Sequence, residues 1–371
     1  MRVIMISSDK SICDAKSSAA ARQARYGACA DEVHIIIFTP RGFSSARIGN
    51  NVFAHPTNSR EKWGYIPGAI FLARRIAKEF PKGERVLISA QDPFESGLAA
   101  WLAAKTMRAS LQLQLHTDAF SPHFATGSLM NRIRVFLARF LLPRADCIRA
   151  VSARVKDSVV RECRIPEGRI AVLPIRTFLP SRADEGFLKK TYPHYDFFVL
   201  AVGRLSPEKD FPLAITAFAK AARRHSHCAL VIAGDGPERG ALQKIARDAG
   251  VGERVFFAGH RNNLAPFYAS ADMFLFTSRY EGYGCALVEA AAAGLPIVTT
   301  DVGAVGETIT KERALVCPVG DEKCLSRNIL NIIENKNLRA HLGKEARGVR
   351  REIHSEEEYF RAHCRLWRGC A

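Results

Sequence analysis

Nowhere in its 371 residues does this chain run apolar for the roughly 18 uninterrupted positions that a membrane-spanning helix requires. Its start, "MRVIMIS", reads as a first strand and lacks the longer apolar stretch of a secretory signal. The ten cysteines include no Cys-x-x-Cys pair, so metal-site spacing is absent. In a chain this long their scatter does not read as a disulfide framework, and reduced thiols in a cytoplasmic protein are the expectation. No fixed short repeat and no low-complexity segment occurs. No Gly-x-Gly-x-x-Gly turn follows the first strand, which disfavours a nicotinamide dehydrogenase. Acidic residues are scarce: 37 Asp and Glu stand against 54 Lys and Arg, a net charge of +17. Residues 1–186 carry 28 basic and 16 acidic side chains, and residues 187–371 carry 26 and 21. The excess therefore sits mainly in the first half, and it implies partners bearing phosphate, anionic lipid or nucleic acid. A nucleic-acid binder would cluster its basic residues with exposed aromatics, whereas these are dispersed, so nucleic acid is disfavoured.

What is present is an ordinary globular composition, 47% hydrophobic and 25% charged, in a chain long enough for two domains. Short β-rich runs ("RVIMIS", "EVHIIIF", "RVLIS", "LQLQLH") alternate with amphipathic ones ("GAIFLARRIAKEF", "ESGLAAWLAAKTM"). A second series begins near residue 196 with "DFFVLAVGR", "FPLAITAFAKAARRH", "CALVIAGDG", "ERVFFAGH", "ADMFLFTS" and "LPIVTTD". Such alternation predicts α/β architecture: two doubly wound, Rossmann-like domains with parallel sheets, facing a cleft. The expected boundaries are 1–180 for the first domain, 181–195 for a linker and 196–354 for the second. A C-terminal helix over 355–371 is expected to return to the first domain. Ligands of such sheets bind beyond the carboxyl ends of the strands.

Three turns of the second half carry candidate chemistry. "VGRLSPEKDF" places Gly203, Arg204 and Lys209 after a strand. An arginine fork and a lysine point charge suit a diphosphate, although two solvated loop charges read equally well. "AGDGPER" supplies Gly234 and Gly236 for tight turns, with Pro237 expected at a first helical position. In "SRYEGYGCALVEAAAAGLPIV" a helix is expected to start near Gly284 and stop at Gly294, its free amides favouring an anion. Glu281 then lies in the loop and Glu289 inside an apolar helix, where a carboxylate wants a hydrogen-bonding partner such as a ribose hydroxyl.

In the first half, "LQLQLHTDAFSPHF" ends a strand at His116 and Asp118. A histidine there points toward a ligand, while capping of the turn by Asp118 is the alternative. "SAQDPFESG" puts Asp92 and Glu95 on the same edge, where acceptor contact and helix capping explain them about equally. Lys16, Arg22 and Arg25 follow the first strand and suit an acidic acceptor. The run "LMNRIRVFLARFLLPR", 129–144, interleaves apolar residues with Arg132, Arg134, Arg139 and Arg144. Two readings stay open, a buried helix with snorkelling arginines or a helix lying on anionic lipid.

The ordered set "GRLSPEKDF", "AGDGPER", "VFFAGH" and "ADMFLFTSRYEGYGCALVEAAAAGLPIVTTDVGAVGETI" resembles the nucleotide-sugar half of family 4, GT-B-fold retaining glycosyltransferases. The likeness covers about residues 197–310. A weaker one in the first half includes "QLHTDAFSP" and "LPRADCIRAVSARVKDSV". The Glu-x7-Glu element of that family falls on Glu281 and Glu289. The resemblance implies that Gly203, Arg204 and Lys209 hold the donor diphosphate and that Glu289 bonds the ribose. Glu281 and the backbone of Gly282, Tyr283 and Gly284 would meet the donor sugar and phosphate. His260, Arg261 and Asn262 would line the base, and His116 would contact the transferring sugar. Asp118 would reach the acceptor. Asp210 departs from the family, which often has glycine after the lysine, and the first turn lacks the glycine-rich loop of many relatives.

The implied activity is metal-independent, retaining transfer of a sugar from a UDP- or GDP-linked donor to an acceptor hydroxyl, lipid-linked and acidic acceptors included. It implies no cofactor. The setting would be cell-envelope glycan, polysaccharide or glycolipid synthesis in the cytoplasm or at the inner face of the membrane. A sugar-nucleotide epimerase on the same fold, a basic binding protein and an inactive binding module are the alternatives.

Overall fold

The computed structural model describes residues 1–177 and 183–370. The chain divides into two units, Met1–Pro174 with the segment from His354 onward, and Ile175–Ile353. Part of the expected linker, residues 181 and 182, lies outside the described residues.

In the first unit one sheet is built from β1 (Arg2–Ser7), β2 (Glu32–Ile37), β3 (Ala46–Arg47), β4 (Val52–Pro56), β5 (Val86–Ala90), β6 (Ser110–Leu115), β7 (Cys147–Ala150) and β8 (Ile170–Val172). Its order is β3-β4-β2-β1-β5-β6-β7-β8. All pairs are parallel except β3 with β4. The intervening helices are α1 (Ser18–Ala24), α2 (Tyr65–Ala77), α3 (Glu95–Met107), α4 (Pro122–Thr126), α5 (Leu129–Leu141) and α6 (Ala153–Cys163). Five successive residues of both β1 and β2 are buried, as strands covered by helices on both faces must be. The winding reverses between β1 and β5, which defines a switch point at that sheet's carboxyl edge.

The second unit contains a six-stranded, all-parallel sheet of β9 (Phe197–Val202), β10 (Cys228–Ala233), β11 (Val255–Gly259), β12 (Met273–Phe276), β13 (Ile297–Thr300) and β14 (Ala314–Cys317). Its helices are α7 (Phe187–Thr191), α8 (Phe211–Ala221), α9 (Arg239–Asp248), α10 (Ala265–Ser270), α11 (Cys285–Ala293), α12 (Glu322–Glu334) and α13 (Lys336–Arg347). The order β11-β10-β9-β12-β13-β14 reverses between β9 and β12. Residues 187–191, read in sequence as part of a connecting stretch, form α7, with Phe187 edge-on to Phe267 of α10 at 5.0 Å. Helix α9 starts at Arg239, so Pro237 lies in the turn before it and not at the first helical position.

The last helix, α14 (Glu356–Cys370), belongs to the first unit. Tyr359, Phe360, His363, Trp367 and Cys370 repeat at helical spacing and are buried. Trp367 donates to Gln112 Oε1 of β6 at 3.1 Å. The expectation of reduced thiols is overturned for six cysteines, which pair as Cys29–Cys364, Cys147–Cys370 and Cys317–Cys324. Two of these bridges tie α14 to the first unit across 335 and 223 positions of sequence. Sequence spacing could not disclose pairs created by a terminal helix folding back. Cys13, Cys163, Cys228 and Cys285 remain free.

Candidate active site

The second unit assembles its candidate residues at the carboxyl ends of β9, β10, β11 and β12. A cleft of about 370 Å³ is lined by Gly203 and Arg204 after β9, Ala233 at the end of β10 with Gly234 and Asp235 after it, and His260, Arg261 and Leu264 after β11. The two glycine-bearing loops lie backbone against backbone. Leu205 donates its amide to the Asp235 carbonyl at 3.0 Å, and Glu238 donates to the Leu205 carbonyl at 3.2 Å. At Gly234, with φ +154°, an added Cβ would fall 1.8 Å from the Gly203 carbonyl oxygen. This glycine therefore serves close approach of two loops rather than a turn alone.

Arg204 is exposed at the mouth of this cleft, and its guanidinium makes no ion pair among the described residues. Lys209 is half-buried, ion-paired with Glu281, and its ammonium stands 5.6 Å above the Phe276 ring. Glu281 Oε1 also accepts from Ser278 Oγ at 2.8 Å. The pair thus joins the β9 loop to the β12 loop at the sheet's switch point, where ligands of such sheets sit. Asp210, the departure from the family pattern, adopts a left-handed conformation with φ 49° and ψ 47°. Its carboxylate pairs with Arg279 at 2.8 Å, and Thr277 Oγ1 donates to its carbonyl at 3.1 Å. The aspartate therefore takes the backbone geometry that suits glycine, held there by side-chain contacts.

Gly284 caps α11 with φ 84°, and Gly294 ends it with φ 86°. The first-turn amides of α11 thus open onto the Glu281–Gly284 loop. Tyr283 is buried beside Thr308, so it presents its backbone to that loop and not its ring. The Ala304 amide donates to the Tyr283 carbonyl at 2.9 Å, fixing the loop from the β13 side. On α11, Glu289 Oε2 accepts from the Tyr268 hydroxyl at 3.0 Å. Loss of hydration raises the Glu289 carboxyl to about 7, and the Tyr268 bond opposes that shift only in part. His260, Arg261 and Asn262 are exposed. His260 Nε2 lies 3.2 Å from Asn262 Oδ1, and Arg261 donates to the Ala258 carbonyl at 2.9 Å.

In the first unit, His116 follows β6 directly and is half-buried, with Nε2 3.1 Å from Oε1 of Gln91 after β5. Burial pulls the imidazole down to about 3, with Arg149 and Arg22 acting in the same direction, so it is neutral at pH 7. Asp118 Oδ1 accepts from Ser158 of α6 at 2.9 Å and from the Phe120 amide at 3.3 Å. Asp92 accepts from the Phe94 amide at 2.8 Å and from Ser96 of α3, the helix-start role named as its alternative. Burial raises both aspartates. Glu95 pairs with Arg134 at 3.0 Å and joins α3 to α5. These three carboxylates are thus engaged within the unit's own scaffold, whereas among the described residues His116 is hydrogen-bonded only to Gln91. Tyr268, Ser278 and Gln91 escaped the sequence reading, because each acts through a partner 21, 3 or 25 positions away and none carries charge.

Comparison with known proteins places this geometry in a class. Solved structures align over the whole chain: sucrose-phosphate synthase from Thermosynechococcus elongatus at TM-score 0.82, 20% identity and 99% of that chain, and Anabaena HepE in complex with UDP and glucose at 0.77, 18% and 100%. The fold is that of the GT-B glycosyltransferases. Residues 21–175 match the family described as Glycosyltransferase Family 4, and residues 184–349 match Glycosyl transferases group 1. Relatives include the N-acetyl-alpha-D-glucosaminyl L-malate synthase of Bacillus anthracis, 24% identical over 88% of this chain and 87% of its own. Another is the alpha-D-kanosaminyltransferase of Streptomyces kanamyceticus, 26% identical over 74% and 73%. The chain belongs to the family 4 glycosyltransferases.

Proposed function

We propose that this glycosyltransferase moves a sugar from a nucleoside-diphosphate sugar to an acceptor hydroxyl with retention of anomeric configuration and without a metal ion. The observation that carries the proposal is the strand-end cleft between Arg204 and the His260–Arg261 loop, adjoined by the Lys209–Glu281 pair and the start of α11. An exposed guanidinium, a lysine and helix-start amides together suit a diphosphate. Glu289, in a desolvated helix, suits a ribose diol. The UDP complex of HepE, similar in fold, supports a uridine or related donor.

In the proposed reaction the bond between the anomeric carbon and the diphosphate oxygen breaks. The acceptor oxygen bonds that carbon from the same face, and its proton passes to the departing phosphate oxygen. Arg204, Lys209 and the α11 amides stabilise the charge developing on the leaving group, so no side-chain nucleophile is required. His116, neutral at pH 7, serves as a hydrogen-bonding group for the transferring sugar. The acceptor is sought among envelope glycans, polysaccharides and glycolipids.

Each hydrogen bond to a charged phosphate is worth about 1.5–3 kcal/mol. Arg204→Ala should therefore lower kcat/KM for the donor roughly tenfold to a hundredfold, read as released nucleoside diphosphate with acceptor present and with chelator added. Unchanged turnover would sink the assignment. Consumption of donor without any acceptor would instead favour the epimerase reading.

A further inference from the structure

Seven large apolar side chains stand exposed among the described residues, and six of them fall on one layer of the first unit. Trp63 lies in the turn leading into α2, Phe71 on α2, and Leu129, Met130, Ile133 and Phe136 on α5. Helix α2 packs along α3, and α3 along α5, so the three helices are neighbours over one sheet face. Scattered exposed apolar residues need no explanation, but six on one layer do.

The exposures are large: Trp63 80%, Phe71 65%, Leu129 74% and Phe136 69%. On α5 the residues Leu129, Arg132, Ile133, Phe136 and Arg139 follow helical spacing and form one exposed stripe. On α2 the residues Phe71, Arg74, Arg75 and Lys78 do the same, Lys78 being its C-cap. Buried positions of the same helices, Ala69, Ala73 and Ile76 on α2 and Ala138 and Leu141 on α5, take the inner faces. The apolar residues of the outer stripes are therefore surplus to the core.

Charge points to the occupant. The only carboxylate on α2, α3 or α5 is Glu95, and Arg134 neutralises it at 3.0 Å. Arg139 pairs with Glu162 of α6 at 2.8 Å, which leaves Arg74 and Arg75 on α2, Lys105 on α3 and Arg132 on α5 as exposed cations without an ion pair among the described residues, while Lys78 at the α2 C-cap is followed by the exposed Glu79. Aromatic and aliphatic side chains interleaved with unpaired cations fit the headgroup region of a negatively charged bilayer. There apolar groups enter the acyl boundary while arginines meet phosphate.

We propose that the outer face of α2, α3 and α5 is a docking surface for a bilayer containing anionic lipid. The test is co-sedimentation of the full chain with phosphatidylcholine vesicles and with vesicles containing about 30% phosphatidylglycerol, a composition that gives the surface potential these cations would sense. Binding is expected to the anionic vesicles, weakened by salt, and on the order of tenfold weaker for Ile133→Glu/Phe136→Glu, since two anchoring side chains are lost and charge of the wrong sign is added. Arg132→Glu should weaken it in the same direction. Lys244→Glu, an exposed charge reversal on α9, should leave it unchanged. Thermal midpoints of all variants establish that each is folded. Absence of binding to anionic vesicles, or equal loss with Lys244→Glu, would overturn the proposal. So would an ultracentrifuge dimer that dissociates in Ile133→Glu/Phe136→Glu while lipid binding is absent, because a second copy of the chain would then be the occupant.

Discussion

Glu289 carries the most informative ionisation in the second unit. Its carboxyl, raised to about 7 by desolvation, is only partly charged at neutral pH in the free protein. Two ribose hydroxyls bond more strongly to a carboxylate than to a carboxylic acid. Donor binding should therefore tighten as pH rises through about 7 and level off above it. Glu289→Gln keeps the shape and removes the titration. The variant is expected to bind donor several-fold more weakly at pH 8 and to show a flat profile from pH 6 to 8, measured by calorimetry. A wild-type profile already flat over that range would contradict the assignment. Tyr268, which donates to this carboxylate, is held well above its ordinary pKa by burial and by Glu289 itself, so it stays a donor throughout.

At the scale of elements, the second unit works through loops that follow strands. The β9 and β10 loops stack so closely that a single methyl group is excluded at Gly234. Gly234→Ala forces the loops apart or strains a backbone at φ +154°, at a cost on the order of 2–4 kcal/mol. A lowered thermal midpoint, together with loss of the further stabilisation by UDP, is the expected outcome. A midpoint within experimental error of wild type would show that the loops do not depend on this contact. The loop after β9 was legible in "GRLSPEKDF" as a place for cations. That Asp210 would stand in the left-handed region, tied to Arg279, was not legible. Backbone conformation at one residue depends on partners 67 and 69 positions away, Thr277 and Arg279.

On the scale of the whole molecule, the first unit concentrates neutral histidines that are buried or half-buried. His34 and His55 on adjacent strands approach to 3.1 Å, and burial lowers both, His55 to about 4. His116 and His363 are lowered further, and both ring nitrogens of His363 are buried without a hydrogen-bond partner among the described residues. A histidine whose folded pKa lies below its unfolded value stabilises the fold above about 6.5 and loses that contribution as pH falls toward the folded value. His55 alone accounts for on the order of 2–3 kcal/mol between pH 7 and pH 4. Asp92 and Asp118, raised by burial, act in the opposite sense at the acid end. All three tryptophans, Trp63, Trp101 and Trp367, lie in this unit, so their fluorescence reports it selectively. The urea midpoint read by tryptophan should fall from pH 7 to pH 5, and His55→Phe should shrink that fall. Equal midpoints at the two pH values would refute the argument.

Local pattern settled much of this protein. Apolar runs with a period of two or fully buried, helical stripes, and glycines at positions 284 and 294 announced most of the strands and the bounds of α11, because these depend on neighbours a few residues apart. The same patterns placed Arg204, Lys209, Glu281 and Glu289 on strand-end loops and one helix. Only the tertiary structure decided which of them touch. It paired Lys209 with Glu281, gave Glu289 its Tyr268, and turned Asp92, Glu95 and Asp118 toward the scaffold. It also joined Cys29 to Cys364 and Cys147 to Cys370 and left one helical layer apolar and cationic on the outside. Those outcomes depend on contacts between residues distant in sequence, and periodicity carries no record of them.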